Sequence, residues 1–60
     1  RRIFGILEPR EQQVLRLRYG LNNRQPLTQR EVAKKLGISR SYVSRIEKHA
    51  IEKLRAQFER

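Results

Sequence analysis

Cysteine is absent from the 60 residues and histidine occurs once, so neither a disulfide framework nor a zinc site can hold this fold. A reducing compartment is therefore permitted. No apolar run approaches the roughly 18 residues needed to cross a bilayer, and Arg1 and Arg2 open the chain without the apolar stretch of a signal peptide. A soluble, cytoplasmic protein with no membrane partner is expected. Hydrophobic residues make up only 37% of a single short chain, and the core of so small a domain typically supplies about 3 to 5 kcal/mol. That leaves no room for a deep substrate cleft and excludes most enzymes. No glycine-rich phosphate loop is present, and His49 beside Lys48 reads as a surface residue, so no catalytic group, metal ligand or cofactor site is expected. Acidic residues are also scarce: six Asp+Glu stand against 15 Lys+Arg, a net charge of +9. Such an excess suits a polyanionic partner, because each cation that neutralises a phosphate releases a condensed counterion. Ribosomal surfaces and anionic membranes satisfy the same arithmetic as DNA.

Proline and glycine mark the breaks. Pro9 suits the first position of a helix, where its missing N–H costs nothing. Glu8 and Glu11 then lie at the positive end of the helix dipole, with Arg16 and Arg18 at the negative end. Val14, Leu15 and Leu17 supply an apolar stripe, and Gly20 can take the left-handed conformation that ends it, giving a helix Pro9–Tyr19. Upstream, Ile3, Phe4, Ile6 and Leu7 look like the remnant of an earlier helix, as if the chain were a fragment of a longer one. Residues 21–27, with Asn22, Asn23 and Pro26, form a polar connection with turn chemistry. Thr28 and Glu31 make a capping box that opens a second helix, which carries Val32, Ala33 and Leu36 and is stopped by Gly37. Ser39 is the next N-cap, with Ile38 packing back on the helix it opens. Beyond Arg40 no Gly or Pro intervenes, and a helix Arg40–Phe58 would be about 28 Å long. Strict alternation of apolar and polar residues is absent from every segment of useful length, so the fold class is all-α: one small helical domain over residues 1–60.

Residues 29–48 have helix-turn-helix spacing. A small side chain at Ala33 lets the second helix of the motif cross closely, Gly37 permits the sharp turn, and Val43 with Ile46 anchors that helix on Val32, Leu36 and Ile38. A plain helical hairpin would share the apolar pattern, but its exposed face would have no reason to be this basic. With Val43, Ile46, Ala50 and Leu54 buried, the opposite side presents Ser41, Arg45, Lys48 and Glu52, flanked by Tyr42, Ser44 and His49. Glu47 and Lys53 fall where a heptad seam would want apolar residues, so a coiled coil is disfavoured, and Glu47 is better explained as a partner for a nearby Arg or Lys.

The first residues of a recognition helix reach base edges in the major groove, which makes Arg40, Ser41, Tyr42, Ser44 and Arg45 the candidate readers. Either arginine can make a bidentate contact to guanine O6 and N7, the serines can bond a base or a phosphate, and Tyr42 can stack on a thymine methyl or bond a phosphate. A solvated charge is an equally ordinary role for any single arginine on a helix. Lys48 lies further along the helix and suits a phosphate. Arg16 and Arg18, together with Thr28, Arg30, Lys34 and Lys35 on the helix that crosses the backbone, complete the candidate phosphate contacts, although Thr28 already has a sufficient role as a cap. The surface away from the motif would keep Glu8, Glu11, Glu52 and Glu59. The tail, with Ile51, Leu54 and Phe58, could lie on a membrane, but packing against Ile3, Phe4, Leu15 and Leu17 is more economical.

Three runs together carry a family likeness. They are Pro9-Arg10-Glu11 through Val14-Leu15-Arg16-Leu17-Arg18-Tyr19-Gly20-Leu21, then Thr28-Gln29-Arg30-Glu31-Val32-Ala33 through Gly37-Ile38-Ser39-Arg40, then Val43-Ser44-Arg45-Ile46-Glu47-Lys48 with Ala50 and Lys53-Leu54-Arg55. Over about residues 7–55 the chain resembles region four of bacterial sigma factors. The resemblance implies a domain that binds the -35 promoter element through its helix-turn-helix while docked on the flap of the RNA polymerase β subunit, so that promoter DNA and polymerase are the implied partners. Leu17, Tyr19 and Leu21 are the implied docking contacts, unless they simply close the core. Transcription activators or anti-sigma proteins are further possible partners. Primary sigma factors have an acidic residue where Ser41 stands and an arginine where Ser44 stands, and the 39–45 run is closer to alternative, sporulation-type factors. Two other readings remain: the output domain of an autonomous transcriptional regulator, or a module that binds polymerase or an anti-sigma protein and touches DNA little.

Overall fold

The computed structural model describes residues 3–21 and 23–58, with the side chains of Ile3 and Phe4 excepted. The expectations placed on Arg1, Arg2, Asn22 and Glu59, and the packing assigned to Ile3 and Phe4, lie outside the described residues. Three α-helices carry the chain: α1 (Pro9–Tyr19), α2 (Gln29–Leu36) and α3 (Arg40–Phe58), preceded by a 3-10 turn at Ile3–Ile6. The all-α class and the three helices are those the sequence implies, and among the described residues there is no strand.

Each helix begins and ends for a local reason. The Glu8 N–H donates to Glu11 Oε1 at 2.8 Å ahead of Pro9, so the Glu11 carboxylate ties the residue before α1 to its first turn. At α2 the box is complete: the Glu31 N–H donates to Thr28 Oγ1 at 3.1 Å and the Thr28 N–H donates to Glu31 Oε1 at 2.8 Å. Ser39 caps α3, its Oγ accepting from the Tyr42 N–H at 3.1 Å. Gly20 (φ 63°) and Gly37 (φ 69°) end α1 and α2 in the left-handed conformation, with the N–H groups of Leu21 and Ile38 returning to the carbonyls of Arg16 and Ala33. Gly20 has a second constraint: the connection folds back so closely that a Cβ there would stand 2.3 Å from the Arg24 carbonyl oxygen. Around Gly37 the space is open.

Two apolar clusters hold the helices. Val14, Val32, Ala33, Val43 and Ile46 form the larger, under the helix-turn-helix, with Leu17, Leu27, Leu36 and Ile38 packed against it. Leu7, Leu15 and Ala50 form the smaller, extended by Ile51 and Leu54. Adjacent residues on a helix point about 100° apart, so Val14 and Leu15 face different clusters and α1 becomes the wall shared by both. The tail of α3 thus packs on Leu15, as the sequence implies. Leu17 departs from that expectation by belonging to the other cluster, and Leu7 takes its place.

Glu11 is the clearest correction. Read from the sequence as a surface charge, it is buried, because its carboxylate caps α1 and also accepts from Lys53 Nζ at 2.9 Å, clamping the start of α1 to the second half of α3. Among the described residues no buried side-chain nitrogen or oxygen lacks a partner, and no helix is long and apolar enough to cross a membrane.

The two helix-ending glycines separate strain from collision. Gly37→Ala should cost about 1 kcal/mol, the left-handed penalty alone. Gly20→Ala adds a clash with backbone and should cost roughly 3 kcal/mol, most of the stability of a domain this size. Urea denaturation followed by circular dichroism measures both, and equal costs would contradict the close approach at Gly20.

A candidate nucleic-acid interface on the third helix

The face of α3 left uncovered by the core is the one its helical period implies. Arg40, Ser41, Tyr42, Ser44, Arg45 and Lys48 are all exposed, while Val43 and Ile46 between them are buried. Three residues, Gly37, Ile38 and Ser39, separate α2 from α3, and the Ser39 cap holds the tip from which Arg40 projects. Ser41 Oγ lies 3.4 Å from Ser39 Oγ, so its hydroxyl stays near the cap.

The exposed side of α3 borders two shallow depressions. Tyr42, Arg45 and His49 face the start of α1, where Glu8, Arg10 and Glu11 complete a depression of about 310 Å³. Ser44 and Lys48 instead face the start of α2, sharing a depression of about 350 Å³ with Gln29. Thr28 and Arg30 flank Gln29 in the chain, so the first turn of α2 lies beside the exposed face of α3, although Thr28 is engaged as a cap. Arg30, Lys34 and Lys35 are exposed. Lys35 and Arg16, however, border a third depression of about 580 Å³, whose apolar lining is Pro9, Leu17, Leu21 and Leu36 and whose other cations are Arg10 and Arg24. The seven candidate phosphate contacts are therefore not brought to one place.

Arg18 is not on that surface. Its Nε donates to Glu47 Oε1 at 3.0 Å, a second guanidinium nitrogen donates to the Leu27 carbonyl at 2.8 Å, and its charge lies 5.3 Å from the centre of the Tyr19 ring. Tyr19 is also separated from its expected companions: Leu17 and Leu21 border one depression, while the Tyr19 hydroxyl donates to Glu47 Oε2 at 2.8 Å. Gln29 Nε2 adds a further donor to Glu47 Oε1 at 3.0 Å. Glu47 was expected to pair with a nearby cation, and that cation is Arg18, 29 residues away in the chain.

Burial alone would push the Glu47 carboxyl up. The bonds from Gln29, Arg18 and Tyr19 outweigh it and hold the group below its ordinary value of 4.5. Glu11 has the same balance, burial opposed by the Glu8 N–H, Lys53 and the charge of His49. The Tyr19 phenol is pushed up from 10.0 by the bond it donates to Glu47, then by burial.

Arg10, Arg24 and Gln29 join these surfaces and were not singled out in the sequence. Arg10 and Arg24 carried no local signal, since nothing in their neighbours says that they border residues from α2 or α3. Gln29 could have been flagged as the first residue of α2, but its Glu47 partner could not. Among the described residues no group of histidine, cysteine or carboxylate side chains could hold a metal ion.

This arrangement, a short helix and a long one joined by a three-residue turn with a basic exposed face on the second, coincides with a match over residues 3–56 to the family described as Sigma-70, region 4. The chain belongs to that family. It is similar to the RNA polymerase sigma-K factor of Bacillus subtilis (strain 168), 54% identical over 95% of this chain and 19% of the relative. It is also similar to the sigma-28 factor of Bacillus thuringiensis subsp. kurstaki, 56% identical over 95% of this chain and 24% of that protein. The principal sigma factor HrdC of Streptomyces coelicolor is 43% identical over 93% of this chain and 16% of its own length. The order agrees with the likeness to alternative, sporulation-type factors. This region 4 domain thus spans about a fifth to a quarter of the first two relatives. No solved structure matches it.

Because the folded pKa values of Glu47 and Glu11 lie below 4.5, their contribution to stability is complete above that pH and is lost as pH falls through the folded values. Thermal melts should show the protein losing stability below about pH 4.5. Glu47→Gln should melt lower than the parent at neutral pH and lose less on acidification. An equal loss in parent and variant would mean that Glu47 is not held below its ordinary value.

Proposed function

We propose that this region 4 domain reads the -35 promoter element as one module of a longer sigma factor, directing RNA polymerase to initiate transcription. The observation that carries the reading is the first half of α3: Val43 and Ile46 are buried against α2, while Arg40, Ser41, Tyr42, Ser44 and Arg45 are exposed on the other side, with Ser39 capping the tip. In this geometry α3 enters the major groove and its N-terminal residues meet base edges. Arg40 and Arg45 are the specific readers, each able to place two donors on guanine O6 and N7, with about 1 to 3 kcal/mol of discrimination for each pair made. Ser41, Ser44 and Tyr42 add single contacts. Lys48 and Arg30, with Lys34 and the N-terminal N–H groups of α2 at Thr28, take the phosphates that fix the register. Arg18 leaves this set because its donors are spent inside the domain.

The depression lined by Pro9, Leu17, Leu21 and Leu36 is the docking surface for the β-subunit flap, its apolar floor supplying contact area and Arg16 and Lys35 its polar rim. Tyr19 leaves the docking set because its hydroxyl serves Glu47. That same depression is what favours the second reading, a module that binds polymerase or an anti-sigma protein and touches DNA little. No observation favours an autonomous regulator.

A titration of promoter and random duplexes over a salt series separates the roles. Arg40→Ala should weaken -35 binding about 5- to 100-fold while leaving random DNA nearly unaffected. Lys34→Ala should weaken both alike and reduce the salt slope by about 1. Indifference to Arg40 overturns the base-reading assignment, and retained binding to the polymerase flap without any DNA preference would support the docking module instead.

A further inference from the structure

The reading face of α3 is held by groups that do not belong to it. Val43 and Ile46 anchor α3 by apolar packing, which is non-directional and sets the rotation of the helix less sharply than bonds of fixed geometry do. A roll of α3 would carry Arg40 and Arg45 sideways across the groove. Besides the Lys53–Glu11 pair further along α3, what opposes that roll is Glu47, on the same helix between Arg45 and Lys48 but pointing inward and buried. Its Oε1 accepts from Arg18 Nε and Gln29 Nε2, each at 3.0 Å, and its Oε2 accepts from the Tyr19 hydroxyl at 2.8 Å. Arg18 and Tyr19 are in the last turn of α1 and Gln29 is the first residue of α2, so one carboxylate is bonded to both other helices. Arg18 also donates to the Leu27 carbonyl at 2.8 Å, tying in the connection just before the α2 cap. Bonds to an ionised acceptor are short, directional and about twice as strong as neutral ones. Three of them converging from two helices fix the rotation of α3 as packing alone cannot.

The geometry points to Glu47 as a positioning residue for sequence recognition: it touches no DNA, yet through Arg18, Tyr19 and Gln29 it sets the angle at which α3 presents Arg40 and Arg45. The inference rests on the DNA-reading function proposed above. It also links two parts of the interface, because Gln29 stands between Thr28 and Arg30 at the start of α2. When the network is intact, the element beside the phosphates and the helix that reads the bases move as one body.

Two variants remove different parts of the network. Glu47→Gln keeps the shape of the side chain and removes its charge, while Gln29→Leu keeps the carboxylate and removes one donor. The probe is a pool of short duplexes randomised at six positions, from which bound DNA is selected and sequenced. Total affinity for the pool is measured separately by anisotropy, and helicity by circular dichroism at the same temperature. For each folded variant the preference for the selected sequence should fall about tenfold, the discrimination of one misplaced bidentate contact, with total affinity for the random pool unchanged. The double variant should lose no more than Glu47→Gln alone, because both act through one network. Preference retained in either folded variant overturns the positioning role. So does a parallel fall of preference and random-pool affinity, which is the signature of lost stability only. If Glu47→Gln fails to fold, Gln29→Leu decides by the same criteria. A parent chain that selects no sequence at all overturns the promoter reading itself, and that result is distinct from a parent preference that survives both substitutions.

Discussion

Burying an ionised carboxylate in a domain of this size is tolerable only when its oxygens are fully engaged, and the way Glu47 is engaged organises the rest of the molecule. Its partners arrive from the end of α1 and the start of α2, so all three helices must be in register before the charge is compensated. Glu11 repeats the device at the other end, joining the first turn of α1 to Lys53 of α3. Both carboxylates lie along the boundaries between helices. Directional bonds therefore supply orientation that two small apolar clusters cannot.

That internal engagement also sorts the positive charge. Of the basic residues, Arg18 and Lys53 are spent on holding the domain together, and the excess that remains on the surface is distributed rather than gathered in one patch. Arg40, Arg45 and Lys48 share the outward side of α3, whereas Arg16, Arg24 and Lys35 border the apolar depression between α1 and α2, and Arg10 borders both that depression and the one beside Tyr42 and Arg45. The net charge of +9 thus supports two surfaces of different chemistry. One has exposed donors on a rigid helix, suited to bases and phosphates. The other has an apolar floor with a cationic rim, suited to a protein.

The helices were legible because their signals are local. Pro9 and Gly20 mark α1, the Thr28 and Glu31 box and Gly37 mark α2, and Ser39 marks the start of α3, each acting through backbone hydrogen bonds within a few residues. The outward face of α3 was legible for the same reason, since a helical period with Val43 and Ile46 inside leaves no other side for Arg45 and Lys48. The bonds of Arg18 and Tyr19 to Glu47 were not legible, because position near a helix end says nothing about a carboxylate 29 and 28 residues away. Leu17 and Glu11 were misread in the same way: one amphipathic stripe was assumed for α1, but a helix walled by two clusters has two inward sides.

By itself, then, the sequence determined where the chain coils, where it turns, and which side of the last helix faces water, because those follow from caps, glycine conformations and a 3.6-residue period. It determined the family as well, through runs of residues whose order survives without knowledge of their contacts. Only the tertiary structure decided which cations are consumed internally and which stay exposed, and how α3 is oriented against the other two helices. Those outcomes depend on side chains far apart in the chain meeting at one carboxylate, and no local pattern encodes the distance between them.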